Sequence, residues 1–208
     1  MIGFRPLRRS DFPALSRWLA APHVARWWAD PHDPDSLETE YGPCVDGTDP
    51  TEVFVAFDED GDFGLIQRYA YRDEPEYVEE LTEIVSVSDD DWSIDYFIGD
   101  LDRTGGGLGT AMIRAFVDRL YADHPAAGRL VVPVHADNER SWRALMRVGF
   151  TLTARGELEP DNPADSRDHV VMEYRTGDEP VSPPTPSSRA VRHGAAPRVS
   201  PRRTGPGC

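Results

Sequence analysis

Four glycines near the middle of the chain have the composition and position of an anion-binding turn. They follow an apolar segment, 92–98, that predicts a strand, and they precede apolar residues spaced as on one face of a helix. Glycine lets backbone N–H groups approach a ligand closely, and a helix start adds unpaired N–H donors and the positive end of its dipole. The pattern predicts a backbone cradle for a pyrophosphate, unless the turn is purely structural. The glycines are Gly105, Gly106, Gly107 and Gly109.

Two other glycine motifs do not fit this segment. A Walker loop needs a Gly-Lys-Ser/Thr sequence, and the chain contains no lysine. A dinucleotide fingerprint needs GxGxxG followed about 20 residues later by an acidic residue on a second strand. The absence of lysine also excludes Schiff-base and pyridoxal chemistry on this chain.

Asp95 is the one acidic residue inside the apolar segment 92–98. An amine must be neutral to attack a carbonyl carbon, but an alkylamine with a pKa of about 10.4 is charged at neutral pH. Burial raises the pKa of a carboxyl group, and such a group can remove the proton directly or through water. Asp95 is therefore a candidate base, unless its side chain points into solvent from the polar face of the strand.

The glycine segment resembles the pyrophosphate loop of the GNAT acyltransferase superfamily. That loop is written Arg/Gln-x-x-Gly-x-Gly/Ala, and here it corresponds to the run from Thr104 to Gly109. Thr104 stands where Arg or Gln is common, and Arg103 lies one position earlier.

Two further runs extend the resemblance. The run Asn138-x-Arg140-Ser141, followed by Val-Gly-Phe at 148–150, is similar to the second motif of the superfamily. The runs 94–99 and 107–110 (Ile-Asp-Tyr-Phe-Ile-Gly and Gly-Leu-Gly-Thr), with Pro-His-Val at 22–24 before two tryptophans, resemble the aminoglycoside 6′-N-acetyltransferases and the related siderophore lysine acyltransferases.

The resemblance implies a mixed α/β GNAT fold over residues 1–176, with a central, mostly antiparallel sheet flanked by helices. It also implies an N-acetyltransferase that uses acetyl-CoA as co-substrate. If the strand at 92–98 splays from its neighbour, free backbone N–H groups there pair with pantetheine and hold the thioester oxygen. The residues implied in coenzyme binding are Phe97, Ile98, Thr104, Gly105, Gly106, Gly107, Leu108, Gly109, Thr110 and Asn138.

The resemblance implies a second set of residues around the acceptor amine, with Asp95 as the catalytic base. Several of them have a structural alternative: tryptophans pack in cores, Gln67 suits a hydrogen-bonded core amide, and Asn138 suits a helix N-cap. The residues implied in substrate binding are Trp27, Trp28, Gln67, Tyr69, Glu79, Glu80 and Asp95.

Three positions depart from the pattern or compete with it. Leu145 occupies the position of a tyrosine that many GNAT enzymes use as general acid, and Pro133 replaces an acid of the aminoglycoside enzymes. The thiolate of coenzyme A then leaves unassisted or receives a proton from another group; Tyr96 faces away from Asp95 on a regular strand. His135, in the loop before Asn138, is either a second candidate base or an inert loop histidine.

The segment 73–91 contains nine carboxylates and no basic residue. Either it is a solvated loop, or its field attracts a cationic acceptor.

The rest of the chain predicts short strands and helices. We expect the segment 30–50 to be mainly loop, with one possible helical turn at 36–41. The expected helices are a first one through Leu19, a short one at 22–28, one from 108 to about 121 and one from 137 to Gly149; the expected strands are 2–7, 53–57, 63–71, 92–98, 129–134, one from Phe150 and 168–175.

Length and charge limit the function further. The 208 residues suffice for one domain, and the net charge of −15 argues against nucleic-acid and anionic membrane partners. The Pro- and Arg-rich tail 177–208 cannot form a core and is expected to be disordered. No membrane segment, leader or metal-binding spacing is recognisable, so we expect a cytoplasmic monomer or homodimer without metal.

These observations predict acetyl transfer to a primary amine of a small, cationic, aminoglycoside-like acceptor, by direct attack in a ternary complex. Two alternatives remain open. One is a siderophore-type acyltransferase acting on lysine or hydroxylysine. The other is a non-catalytic acyl-CoA-binding protein, suggested by the missing tyrosine.

Overall fold

The computed structural model describes residues 1–160 and 165–176. Its centre is a seven-stranded sheet in the order β1-β2-β3-β4-β5-β7-β6. Only β4 and β5 are parallel, so the sheet is mostly antiparallel, as the resemblance implies. The strands are β1 (Gly3–Pro6), β2 (Glu52–Asp58), β3 (Gly61–Ala70), β4 (Trp92–Ile98), β5 (Leu130–His135), β6 (Thr151–Glu157) and β7 (Asp168–Tyr174).

Helices cover both faces of the sheet. One face, here called the α5 face, packs Ile66, Ile94 and Val132 against the last two helices. The opposite face, called the α3 face, packs Leu65 and Phe97 against the first and third helices, with α4 beside them. The helices are α1 (Phe12–Leu19), α2 (Pro22–Ala25), α3 (Pro34–Asp46), α4 (Pro75–Leu81), α5 (Leu108–Asp123) and α6 (Glu139–Val148).

The local signals that rest on turn and cap chemistry are confirmed. The Asp60-Gly61 turn joins β2 to β3, and Gly61 has a positive φ of 113°, which favours glycine. Asn138 is the N-cap of α6, because its Oδ1 accepts a hydrogen bond from the Ser141 N–H. Strand β4 has the predicted bounds, and α5 runs two residues beyond Tyr121.

Two helices are longer or more regular than the sequence indicates. The segment 30–50 was expected to be mainly loop, but it contains the 13-residue helix α3. This helix begins at Pro34 after the N-cap Asp33, and it ends at Gly47, whose φ is 69°. The sequence pattern of this helix is weak because its buried side is narrow. Prolines and glycines also lie at its two ends, and Pro43 lies inside its last turns.

The second unexpected helix is α4, which lies inside the acidic segment 73–91. Leu81 anchors it against Tyr69 and Val131 on the α3 face. Few apolar residues mark this contact in the sequence, so charge dominates the pattern there.

Within the part of the chain that the structure describes, no helix is both long and apolar enough to cross a membrane. The tail expected to be disordered, 177–208, lies outside the described residues, and the domain boundary at 176 stays a prediction.

Candidate active site

A gap opens in the sheet between β4 and β5. Strand β4 pairs with β3 along its whole length, but with β5 it forms a single pair, Trp92 with Leu130. The Trp92 N–H donates to the Arg129 carbonyl at 3.0 Å, and beyond this bond the two strands separate. The splay of β4 that the resemblance implies is therefore present.

The direction of the backbone decides which N–H groups face this gap. Gly99 donates to Phe63 on the β3 side at 2.8 Å, so by strand alternation the N–H of Phe97 also faces β3. The expectation that Phe97 offers a free backbone donor is therefore wrong. The open edge instead presents the N–H groups of Ile94, Tyr96 and Ile98.

The glycine turn lies where β4 leads into α5. Gly105 and Gly107 have φ values of 88° and 87°, a region that favours glycine, and Gly107 is the N-cap of α5. A side chain added at Gly106 or Gly107 would meet no atom within 4 Å, so the turn is open. Gly109 approaches Ile98, which places the helix start beside the end of β4. The arrangement leaves the first N–H groups of α5 accessible to an anion.

The residues before the glycines do not supply the cation that the family motif has there. Arg103 forms an ion pair with Asp58 at 2.5 Å, on the β2–β3 hairpin. Both the N–H and the hydroxyl of Thr104 donate to the Leu101 carbonyl, so Thr104 is not available as a donor to the coenzyme, contrary to expectation. A guanidinium instead comes from α6, because Arg140 Nη2 lies 3.6 Å from the position a Cβ would take at Gly105.

A hydroxyl pair connects β4 to α6 on the α5 face. Tyr96 Oη and Ser141 Oγ are 2.8 Å apart, and burial raises the pKa of Tyr96. Tyr96 thus faces away from Asp95, as its position on a regular strand predicts. Leu145, at the position of the family tyrosine, is fully buried in the core.

On the α3 face, Asp95 and Gln67 meet across the β3–β4 pair. The Gln67 Nε2 donates to Asp95 Oδ2 at 3.3 Å. Asp95 is half-buried, while Gln67 is only 2% exposed and its Oε1 has no hydrogen-bond partner in the residues described. The side chains expected as base and substrate ligand therefore lie together, on the face opposite α5.

Tyr69 lies deeper on the same face than the sequence indicates. It is 2% exposed and packs edge-on against Tyr71, with ring centroids 6.0 Å apart. Burial, and then the charge of Asp95, raise the pKa of Tyr69, so it stays a neutral phenol. It forms part of the floor below Gln67 and Asp95.

The segment that follows α1 covers the mouth of the gap. His23 Nε2 donates to the Ile98 carbonyl at the end of β4, at 2.8 Å. The Trp27 ring lies 5.5 Å from that of His135 at the end of β5. Arg26 adds an ion pair to Asp165 before β7. The segment 22–28 therefore spans from β4 to β7, and sequence reasoning missed the role of His23 although it lies in the recognised run.

The two tryptophans have different surroundings. Trp28 is partly buried: it packs edge-on against Phe97 at 5.0 Å, and its Nε1 donates to Asp30 at 2.6 Å. Trp27 is also partly exposed; its ring is tilted by 44° against that of His135, and the Arg26 guanidinium lies 4.2 Å from the ring centroid. The expectation that one of the two faces the pocket stays a prediction.

Two histidines extend the wall that begins at Trp27. His135 and His169 are 5.4 Å apart, and burial, followed by repulsion from His135, lowers the pKa of His169. His135 Nδ1 accepts from the Asp137 N–H, and its Nε2 donates to the Ser166 carbonyl. Both ring nitrogens of His135 are therefore engaged, which argues against the alternative that it acts as the base.

The acids expected at the acceptor have outer positions. Glu80 accepts a hydrogen bond from the Glu159 N–H at 2.6 Å, and Glu79 is exposed on α4. Of the last acids in this segment, Asp91 forms an ion pair with Arg129. Binding of the acceptor by Glu79 and Glu80 stays a prediction.

Another set of carboxylates, here called the acidic row, is partly buried, and its members repel one another. Burial, with the charges of Asp30 and Asp49, raises the pKa of Glu40 on α3. Burial, with Asp49 and Asp73, raises the pKa of Glu74 before α4. Neither Glu40 nor Glu74 has an ion pair or hydrogen bond through its side chain with any residue described. The acidic row is Asp30, Glu40, Asp49 and Glu74.

The sequence gives little warning of the acidic row, because its members are spread over residues 30–74. Glu40 lies in α3 and Glu74 directly precedes α4, two helices that the sequence does not predict. The signal that exists is the absence of lysine and arginine from residues 27–67, a stretch that contains Asp30, Glu40 and Asp49. No group of three metal-ligating side chains occurs among residues 1–160 and 165–176.

Comparison with known proteins agrees with this geometry. A family model described as an acetyltransferase (GNAT) domain matches residues 8–158. A search of curated proteins by sequence finds no match.

Solved structures share the fold at low identity. The aminoglycoside acetyltransferase AAC(6′)-Ib, in complex with coenzyme A and kanamycin, has a TM-score of 0.71 at 22% identity, over 85% of this chain and 95% of that chain. The aminoglycoside N(6′)-acetyltransferase of Legionella pneumophila has a TM-score of 0.62 at 18% identity, over 84% of this chain and 91% of that chain. The ribosomal-protein-S5-alanine acetyltransferase of Vibrio fischeri has a TM-score of 0.66 at 15% identity, over 85% of this chain and 94% of that chain.

Proposed function

The chain belongs to the GNAT acetyltransferase family, whose co-substrate is acetyl-CoA, and we propose that it transfers the acetyl group to a primary amine of a small, cationic acceptor. The single observation that carries this proposal is the position of Asp95. It lies on the α3 face of β4, whereas the glycine cradle opens on the α5 side of the same strand's end. Coenzyme and acceptor can therefore approach the open edge of β4 from opposite sides.

The coenzyme side follows from backbone chemistry. The open turn 105–107 and the start of α5 bind the pyrophosphate through N–H groups, and Arg140 supplies the neighbouring positive charge. The N–H groups of Tyr96 and Ile98 are free to pair with pantetheine or to hold the thioester oxygen. Donors fixed in this way stabilise an oxyanion without reorganisation at the moment of reaction.

The acceptor side favours a cation with more than one amino group. Half-buried carboxylates without a partner are unfavourable in the free protein, as the raised pKa values of Glu40 and Glu74 indicate. A polyamine would neutralise them with charge-assisted hydrogen bonds. The half-exposed Trp27 offers an apolar surface for the carbon skeleton between the amines.

In the reaction that we propose, Asp95 takes one proton from the acceptor ammonium. The neutral nitrogen attacks the thioester carbon, the C–S bond breaks, and the thiolate of coenzyme A leaves with its electron pair. The nitrogen then loses its second proton to water or to the departing thiolate, which leaves a neutral amide. Gln67 holds one oxygen of Asp95, which orients the carboxylate. Because Leu145 carries no proton, a thiolate with a pKa of about 8.5 leaves unassisted at modest cost.

A thiol-release assay with acetyl-CoA tests the acceptor class. The panel contains aminoglycosides, linear polyamines, lysine and hydroxylysine derivatives, and a peptide with an N-terminal alanine, the last because a ribosomal-protein acetyltransferase shares the fold. We expect release with polycationic amines, and mass spectrometry should find one acetyl group on the acceptor.

Turnover of hydroxylysine derivatives alone would instead identify a siderophore-type acyltransferase. Acetylation of the peptide alone would also overturn the small-molecule proposal. A chain that binds acetyl-CoA but acetylates no amine in the panel would be a binding protein.

A further inference from the structure

His23 occupies a backbone group on the open edge of β4. Its Nε2 donates to the Ile98 carbonyl at 2.8 Å. In an antiparallel strand, the N–H and the C=O of one residue point to the same side. Gly99, the next residue, turns its N–H towards Phe63 on the β3 side, so both backbone groups of Ile98 face the gap between β4 and β5. The imidazole of His23 therefore reaches the end of that gap.

The hydrogen bonding of His23 is incomplete. A ring nitrogen that binds a carbonyl must carry the hydrogen, so in the neutral imidazole Nδ1 is an unprotonated acceptor. This Nδ1 is buried and has no hydrogen-bond partner among the residues described. A buried acceptor without a donor is unfavourable. The contact of His23 with Ile98 is therefore one that a competing donor can replace at low cost.

The pantetheine arm of coenzyme A is such a donor. The arm contains two secondary amides, each with one N–H and one C=O group. An amide that lies along an unpaired strand edge uses backbone N–H and C=O groups of that strand, as a neighbouring strand does. Ile98 presents both groups on the open edge, but His23 already holds the carbonyl. The arm and the imidazole thus require the same place beside Ile98.

His23 also belongs to the segment that covers the mouth of the gap. Val24, the next residue, belongs to the same buried cluster as Phe97 on the α3 face. Displacement of His23 would release the first turn of the segment from β4, while Val24 keeps the rest in contact with the sheet. Trp27 and Trp28, the candidate substrate ligands, follow in the same segment. Entry of coenzyme A would therefore change the cover on the acceptor side.

We propose that His23 is a gate residue, which holds the Ile98 carbonyl in the free enzyme and is displaced by the pantetheine arm when coenzyme A binds. This inference rests on the proposed pairing of pantetheine with the open edge of β4, and not on the identity of the acceptor. In the free enzyme only a fraction of the molecules has the carbonyl open, and the apparent affinity is lowered by that fraction. Removing the imidazole should therefore tighten binding, whereas loss of a purely structural contact should leave it unchanged or weaken it.

Calorimetric titration without an acceptor tests the gate. Coenzyme A should bind His23→Ala about 3- to 10-fold more tightly than the native chain, which corresponds to one hydrogen bond given up. The fragment 3′-phospho-ADP, which is coenzyme A without its pantetheine arm, should bind both chains equally. His23→Gln keeps a side-chain N–H donor and should retain the native affinity. The matched control is His32→Ala, because His32 is an exposed histidine.

Imidazole NMR of the native chain, with isotope-labelled histidine, gives a second measurement that does not depend on a variant's stability. Coenzyme A should move the His23 signals, assigned by their loss in His23→Gln, to those of an imidazole without a hydrogen-bonded Nε2–H. The fragment 3′-phospho-ADP should leave them in place. Unfolding midpoints are recorded for each variant, since a poorly folded chain would lose affinity and not gain it.

Three results would overturn the gate while leaving the proposed function intact. They are unchanged or weaker binding of coenzyme A to His23→Ala, an equal gain in affinity for 3′-phospho-ADP, and His23 signals that stay unchanged at saturating coenzyme A. Absence of coenzyme A binding to the native chain would overturn both the gate and the proposed coenzyme site.

Discussion

The coenzyme cradle and the acceptor face that we propose are built in different ways. The cradle is a contiguous run of six residues, 105–110, and its donors are backbone N–H groups at a turn and a helix start. The acceptor face takes side chains from β3, β4, α3 and the segments 22–30 and 47–51, which lie far apart in the chain. The cradle is formed by neighbouring residues in the sequence, whereas the acceptor face is assembled only when the chain folds.

This difference explains how each region responds to sequence change. A backbone cradle tolerates the loss of the usual cation, since Arg103 pairs with Asp58 while Arg140 approaches from another helix. On the proposed acceptor face, substrate specificity would depend instead on where each carboxylate lies. Substitutions should therefore separate coenzyme binding from acceptor turnover.

Asp95→Asn should separate acceptor turnover from coenzyme binding most strongly. Loss of the base should lower kcat for amine acetylation about 10²- to 10⁴-fold, the usual contribution of general base catalysis. Calorimetry should give an unchanged affinity for coenzyme A. Asp89→Asn, an exposed acid of the segment before β4, is the control with normal turnover. If Asp95→Asn keeps its kcat, Asp95 is not the base.

The opposite effect is expected for Gly107→Ala. Alanine is strained at a φ of 87°, and its methyl group obstructs close approach of a phosphate. The affinity for coenzyme A should therefore fall about tenfold. Gly47→Ala has the same type of backbone cost, at a φ of 69° with open space, but lies at the end of α3. Both variants should lose about 1 kcal/mol of stability. Equal coenzyme affinity in the two would contradict a cradle at Gly107.

Removing the arginine beside the cradle should have a smaller effect on coenzyme A affinity. Arg140→Gln should weaken coenzyme A binding by roughly 1 kcal/mol, or about fivefold, as for an exposed charge on a phosphate. Arg103→Gln should leave the affinity unchanged, because Arg103 serves the β2–β3 hairpin. If Arg103→Gln weakened coenzyme A binding more than Arg140→Gln did, Arg103 would be the coenzyme ligand instead.

On the acceptor face, Glu40→Gln should raise KM for a polyamine about threefold without changing coenzyme affinity, as for one partly exposed ion pair. Glu83→Gln, an exposed acid near α4, is the control. Steady-state kinetics at constant ionic strength distinguish the two. An effect of Glu83→Gln as large as that of Glu40→Gln would show that only the general field of the protein attracts the acceptor.

Glu40→Gln should also stabilise the protein slightly. Burial, with Asp30 and Asp49, raises the pKa of Glu40, so ionisation destabilises the folded state. At neutral pH the variant should gain roughly 0.5 kcal/mol in free energy of unfolding. The gain should shrink as pH falls through the raised pKa of Glu40 and vanish below its ordinary range. Urea unfolding at several pH values checks this, and a gain that does not depend on pH would refute it.

Much of the coenzyme half follows from sequence, because glycine turns, helix starts and caps are local. The acceptor half follows only in part. Asp95 and Gln67 meet as expected, since both lie on regular strands whose alternation is readable. Glu40 and Asp30 could not be found, because prolines and glycines obscure α3 and because pairing between distant acids depends on packing.

The most direct measurement of the central claim is an initial-rate study with acetyl-CoA and a polyamine, both varied, joined to mass spectrometry of the enzyme after acetyl-CoA alone. If the two halves of the site act together in a ternary complex, double-reciprocal lines intersect and the enzyme gains no acetyl group. Parallel lines with an acetylated enzyme would show that the acetyl group first moves to the protein, and would contradict the account.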